Sequence, residues 1–121
     1  MNGGQRSVFV VEDEFLLAIQ IQDDLLAAGF SVIGPFTSLR SSIAAAKRET
    51  PEAATLDVNL NGEFVYPVAD ELLARGVPVL LLTGYAASDL PEQYRSLPRL
   101  SKPFNSRDLI RTVEALLTGK G

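Results

Sequence analysis

Short apolar runs alternate along the chain with longer stretches of helical period. Residues 8–11 (VFVV) are apolar without a break, the pattern of a strand buried on both faces. A second strand is expected over residues 30–34 (FSVIG), stopped by Pro35, and a third over residues 53–57 (AATLD). The fourth, residues 77–82 (VPVLLL), is the most apolar, and a weak fifth lies at residues 99–101 beyond Pro98. Helical segments fill the intervals. The first runs from about Glu14 to Ala28 and stops at Gly29. The second spans roughly Ser38 to Glu49, opened by a serine cap and closed before Pro51. A third begins near Pro67 and ends at Gly76, and a short fourth surrounds residues 91–96. The last opens at Asn105, a capping side chain, with Phe104 and Leu109 spaced as a hydrophobic staple.

Five strands alternating with five helices predict an α/β domain, a parallel sheet with helices on both faces. The 121 residues fit one such domain, with a core over about residues 6–118. No repeat, linker or low-complexity tract interrupts the alternation.

Composition narrows the chemistry. The chain has no cysteine and no histidine, which removes disulfide scaffolds, thiol catalysis, Ser-His-Asp arrangements and Cys or His metal sites together. What remains are carboxylates, hydroxyls, amides, Lys and Arg, with a hard cation as the expected metal. A net charge of −4 and scattered basic residues argue against nucleic-acid binding. No secretory leader or membrane-length apolar window appears, so a cytoplasmic protein is expected.

In open α/β sheets, ligands bind beyond the carboxyl ends of the strands. Glu12, Asp13 and Glu14 follow the first strand, Asp57 ends the third, Thr83-Gly84 follow the fourth, and Lys102-Pro103 follow the fifth. Each has an ordinary reading taken alone: an acidic helix start, a turn residue, a strand exit. Four such groups, each at the end of a different strand, form a constellation instead. Crowded carboxylates favour a divalent cation between them, and Mg²⁺ leaves coordination sites for an incoming phosphate. Asp57 is then the candidate nucleophile towards a phosphoryl group, with Thr83 and Lys102 holding its oxygens.

These residues carry a resemblance. VFVVEDE, the strand ending in Asp57, LLLTGY and SKPF stand in the order and spacing of response-regulator receiver domains, which the whole chain resembles. The resemblance implies a flavodoxin-like (βα)5 three-layer sandwich whose five parallel strands run in the order 2-1-3-4-5. It implies phosphorylation of Asp57 and Mg²⁺ held by Asp13, Asp57 and the Asn59 carbonyl, with Glu12 acting through water. Thr83 matches the switch hydroxyl and Lys102 the phosphoryl-binding lysine, with a cis bond to Pro103. Two features depart from the common pattern. Arg99 occupies the place, three residues before the lysine, where many receivers carry an aromatic. Thr83-Gly84-Tyr85 and the run DVNLNGEF resemble the FATGUY-type receivers, often stand-alone, although Leu81 and Leu82 replace that motif's Phe and Ala. Gly84 leaves the acceptor open to a phosphodonor, and Tyr85 is the candidate to replace the missing aromatic or to gate water.

The first helix carries two apolar stripes, Leu17, Ile21, Leu25 and Ala28 towards the core and Phe15, Ile19 and Leu26 nearly opposite. Either tails or neighbouring loops cover the second stripe, or it is a docking face, and the resemblance favours docking of a histidine kinase there. The expected protein is a single-domain response regulator, a monomer or weak dimer, that signals through a downstream protein or drains phosphate from a relay; its starting Met favours this over a piece of a hybrid kinase. It is not expected to be an enzyme towards outside substrates. Two alternatives stand beside it: a receiver-fold adaptor that works without phosphorylation, and a Mg²⁺-dependent aspartyl phosphatase. The phosphatase usually places a second acid two residues past the nucleophile, where this chain has Asn59.

Overall fold

The computed structural model describes residues 6–119. The elements in chain order are β1 (Ser7–Val11), α1 (Phe15–Ala27), β2 (Ser31–Phe36), α2 (Leu39–Arg48), β3 (Ala53–Asp57), β4 (Asn59–Leu60), β5 (Glu63–Phe64), α3 (Tyr66–Ala74), β6 (Val79–Thr83), β7 (Arg99–Ser101) and α4 (Ser106–Leu117). Five strands form one sheet of order β2-β1-β3-β6-β7, every neighbouring pair parallel. With the small β4–β5 pair set aside, this is the 2-1-3-4-5 order of the flavodoxin-like fold.

Alternation along β1 separates two cores. Phe9 and Val11 face α2 and α3, among Ala45, Ala46, Val68, Ala69 and Leu72. Val8 and Val10 face α1 and α4, among Ile21, Leu25, Leu109 and Val113. A sheet covered on both faces needs such unbroken apolar strands. The expected caps form: Ser38 Oγ accepts from the Ser41 amide at 3.1 Å, and Asn105 Oδ1 from the Asp108 amide at 2.8 Å. Phe104 and Leu109 both pack into the second core.

Three expectations are corrected, and one element is added. Pro35 does not stop β2, which runs on to Phe36. As an edge strand, β2 tolerates the missing amide donor. A bulge accommodates the proline: Phe9 pairs with Ile33 but Val11 with Phe36, and the Gly34–Pro35 peptide is cis. Gly34 has φ +105°, and a Cβ there would lie 2.8 Å from both Phe36 N and Val10 O, so only glycine fits.

The helix expected over residues 91–96 is instead two single 3₁₀ turns, Ala87–Asp89 and Glu92–Tyr94. Pro91 forces Leu90 into extended backbone and breaks the helical period. The buried Leu90 and Tyr94 anchor the segment. Ala28 leaves the core stripe of α1, because the helix ends at Ala27; Ala18 is buried on that face instead. Finally, the run after Asp57 folds into a hairpin, with Asn61 (φ 54°) and Gly62 (φ 90°) at its two-residue turn.

Candidate functional site

Glu12, Asp13, Asp57, Thr83 and Lys102 gather at the carboxyl edge of the sheet because β1, β3, β6 and β7 are parallel and in register there. The bulge in β2 brings Phe36 O within 2.9 Å of the Glu12 amide and so fixes the exit of β1. Glu12 is fully buried, its Oε2 accepting from the Glu14 amide at 3.2 Å. Asp13 is half-buried, and its Oδ2 accepts from the Asn61 amide at 2.9 Å. Asp57 is the last residue of β3, and its Oδ1 accepts from the Asn59 amide at 3.3 Å.

Carboxylate oxygens of Glu12, Asp13 and Asp57 all lie within 4.8 Å of one another. Lys102 faces them, its Nζ 3.0 Å from Glu12 Oε1 and 3.4 Å from Asp57 Oδ1. Its backbone amide donates to Thr83 O at 2.9 Å, and its bond to the exposed Pro103 is cis, as the resemblance implies. Thr83 is buried at the end of β6; its Oγ1 accepts from the Tyr85 amide at 2.8 Å, leaving the hydroxyl proton free to donate. Gly84 is exposed, with nothing within 4 Å of where a Cβ would stand. Tyr85 is exposed too, its phenol oxygen accepting from Asn59 Nδ2 at 3.1 Å. Arg99 points to solvent from β7.

One lysine does not balance three carboxylates. Burial, then Asp13 and Glu12, push the Asp57 carboxyl up to about 8, and Lys102 only partly opposes this. Burial alone would raise Asp13 too, but hydrogen bonds from the Asp57 side chain and the Asn61 amide outweigh it and hold Asp13 below the usual range. Burial works against the Lys102 ammonium, yet Glu12 and Asp57 overcome that and raise it. Glu12 Oε1 is buried and receives no well-aligned hydrogen bond, although the ammonium is near. An under-bonded carboxylate oxygen in an all-oxygen, excess-negative pocket fits a hard divalent cation.

Glu12, Asp13, Asp57, Thr83 and Lys102, from the ends of four strands, are brought together at one edge as the sequence suggests. The docking of the hairpin onto Asp13 was missed; its signal is the Asn61-Gly62 dipeptide between apolar positions. On α1, Phe15, Ile19 and Leu26 are 69%, 38% and 49% exposed, and Leu16, absent from the sequence reading, is the most exposed at 75%. Among the described residues no helix is long and apolar enough to cross a membrane.

Fold and site together define a CheY-like receiver, a parallel α/β sandwich with an acidic pocket and an opposed lysine at its sheet edge. The chain belongs to the response-regulator receiver domains. It is 32% identical to SdrG from Sphingomonas melonis Fr1, with a TM-score of 0.79 over 97% of this chain and 99% of that one. The CheY-like receiver domain protein of Methanospirillum hungatei JF-1 superposes at a TM-score of 0.84 with 21% identity, over 97% of each chain. The receiver domain of the sensor histidine kinase PA1611 from Pseudomonas aeruginosa PAO1, which has a magnesium ion coordinated in its active-site cleft, superposes at 0.77 with 22% identity over 95% of this chain and 99% of that one. Among curated proteins, the transcriptional regulatory protein PdtaR of Mycobacterium tuberculosis is 26% identical over 113 residues, 90% of this chain and 55% of its own length. The chain thus spans about half the length of the curated relatives it matches. No family model matches the sequence.

Proposed function

We propose that the chain accepts a phosphoryl group on Asp57 from the phosphohistidine of a histidine kinase, in a Mg²⁺-dependent reaction, and passes the signal on through a protein contact. The observation that carries this reading is the pocket of Glu12, Asp13 and Asp57 with Lys102 opposed to it, built around the end of the central strand. A carboxylate oxygen of Asp57 attacks phosphorus; the N–P bond of the donor breaks, and its electron pair returns to the donor imidazole. Thr83 donates its free hydroxyl proton to one phosphoryl oxygen, and Lys102 moves from Asp57 towards another. Asp13, Asp57 and the Asn59 carbonyl would hold Mg²⁺, with Glu12 acting through water. Bound there, the ion keeps Asp57 ionised and offsets the phosphoryl charge. Gly84 leaves the approach to Asp57 uncovered.

Phe15, Ile19 and Leu26, joined by Leu16, form the face offered to the kinase. The reading is of a cytoplasmic, single-domain regulator of the FATGUY type, monomeric or weakly dimeric, which hands its signal to a downstream protein or drains a relay. Incubation with Mg²⁺ and acetyl phosphate should add one phosphoryl group by intact mass, and Asp57→Asn should abolish it. Mg²⁺ binding without any phosphoryl gain would turn the reading to the phosphorylation-independent adaptor.

A further inference from the structure

Asp13 is tied to more than the acidic pocket. The Asn61 amide that it holds sits at the tip of the β4–β5 hairpin, and Asn59, at the base, is held twice more. Its Oδ1 accepts from the Gly62 amide at 2.7 Å, and its Nδ2 donates to the Tyr85 hydroxyl. Directly across the hairpin from Asn59 stands Phe64. The Phe64 ring lies 5.6 Å from that of Tyr66, nearly parallel at 17°, and Tyr66 stacks on Tyr94 at 4.3 Å and 6°. Tyr94 is fixed at the far end by its hydroxyl, which donates to Asp70 Oδ1 at 2.7 Å. Phe64, Tyr66 and Tyr85, with Leu90, Pro91 and Arg95, line a cleft of about 730 Å³.

We propose that the hairpin carries the state of the acidic pocket to this aromatic cleft, so that cation binding between Glu12, Asp13 and Asp57 changes the packing of Phe64 on Tyr66 and Tyr94. The inference rests on the reading of that pocket as a cation-assisted acceptor site. A cation among the three carboxylates draws the Asp13 side chain inward, and the Asn61 amide must follow it or lose its acceptor. With two residues per strand and a tight turn, the hairpin has little internal freedom to absorb that shift. It moves as a unit, and the Phe64 ring at its base moves with it. Stacked rings with a fixed far end have few alternative packings, so a small displacement at Phe64 is passed along the stack.

The chain supplies its own reporter. It has three tyrosines and no tryptophan, and all three tyrosines belong to this cluster. In a Tyr85→Phe background, which silences the ring touching Asn59, only Tyr66 and Tyr94 emit. Titration with Mg²⁺ alone, followed by tyrosine emission and by calorimetry on the same sample, should give a change in emission with the calorimetric midpoint. Adding Phe64→Leu, a replacement at a half-exposed ring that leaves the cores closed, should cut the emission change to less than about half at saturation. Calorimetric binding with no emission change, or an undiminished change in the Phe64→Leu protein, would overturn the inference alone. Absence of any binding heat would overturn the acceptor-site reading and this inference with it, so the two failures are told apart by the calorimeter.

Discussion

Thr55 sits in the middle of β3, fully buried, and its hydroxyl oxygen has no hydrogen-bond partner. Its neighbours across the sheet are Val10 and Leu80, both apolar and both buried. A buried hydroxyl without a partner costs more than the methyl that would replace it at nearly the same volume. Thr55→Val should therefore stabilise the protein by about 1 kcal/mol, read as a higher urea midpoint at unchanged slope. Unchanged or lowered stability would mean that the hydroxyl is satisfied after all. Residues such as Gly34 show what a sequence conceals at this scale. A glycine beside a proline reads as a strand end, and only the closeness of Val10 O and Phe36 N shows it to be a bulge inside the strand.

Elements were legible where local signals coincide. Ser38 and Asn105 each stand at the start of an apolar period and do cap α2 and α4. The helix expected over residues 91–96 does not form, because Pro91 holds Leu90 extended and leaves only single 3₁₀ turns on either side of it. Contacts between elements leave almost no trace in a single sequence. The Arg75 guanidinium, just past α3, donates to the carbonyls of Ala46, Lys47 and Glu49 at the end of α2, and no spacing announces that link. On α1, the exposed stripe was found from its period, but Leu16 falls outside a strict stripe and was passed over. If that face receives the kinase, Ile19→Asp should lower the rate of kinase-dependent phosphorylation at least about tenfold, the effect of losing about 1.4 kcal/mol of binding. Phosphorylation by acetyl phosphate should be unaffected. Equal loss from both donors would place the effect on the fold or the pocket and remove the docking role.

For the molecule as a whole, the parallel sheet with helices on both faces was the most legible property, since unbroken apolar strands alternating with helices admit few arrangements, while the strand order came from the resemblance to receivers. The acidic pocket followed from it, because strand ends in a parallel sheet meet at one edge. Gathering those carboxylates also sets how stability depends on pH. The Asp57 carboxyl moves from about 3.9 in an unfolded chain up to about 8 in the fold. Between these values the unfolded state binds fewer protons than the folded one, so this group's contribution to stability is lost as pH rises. In chelator, Asp57→Asn should match the parent near about pH 4 and exceed it in melting temperature by a margin that grows towards about pH 8. Saturating Mg²⁺ should close the gap by stabilising only the parent pocket. A gap independent of pH would show that burial of the charge is not its source.

The strand that carries Asp57 lies in the middle of the sheet, between β1 and β6, while residues 84–98 link β6 to β7 without a regular α-helix. Hydrogen exchange should divide the pocket accordingly. Amides of β3 have neighbours on both sides and open only when the whole domain does, whereas those of residues 84–98 open in local excursions at much lower cost. Asp57, the proposed acceptor, is thereby carried on a strand expected to exchange slowly, next to a loop after Thr83 expected to exchange fast, so the carboxylate keeps its position while the chain beside it can be rearranged.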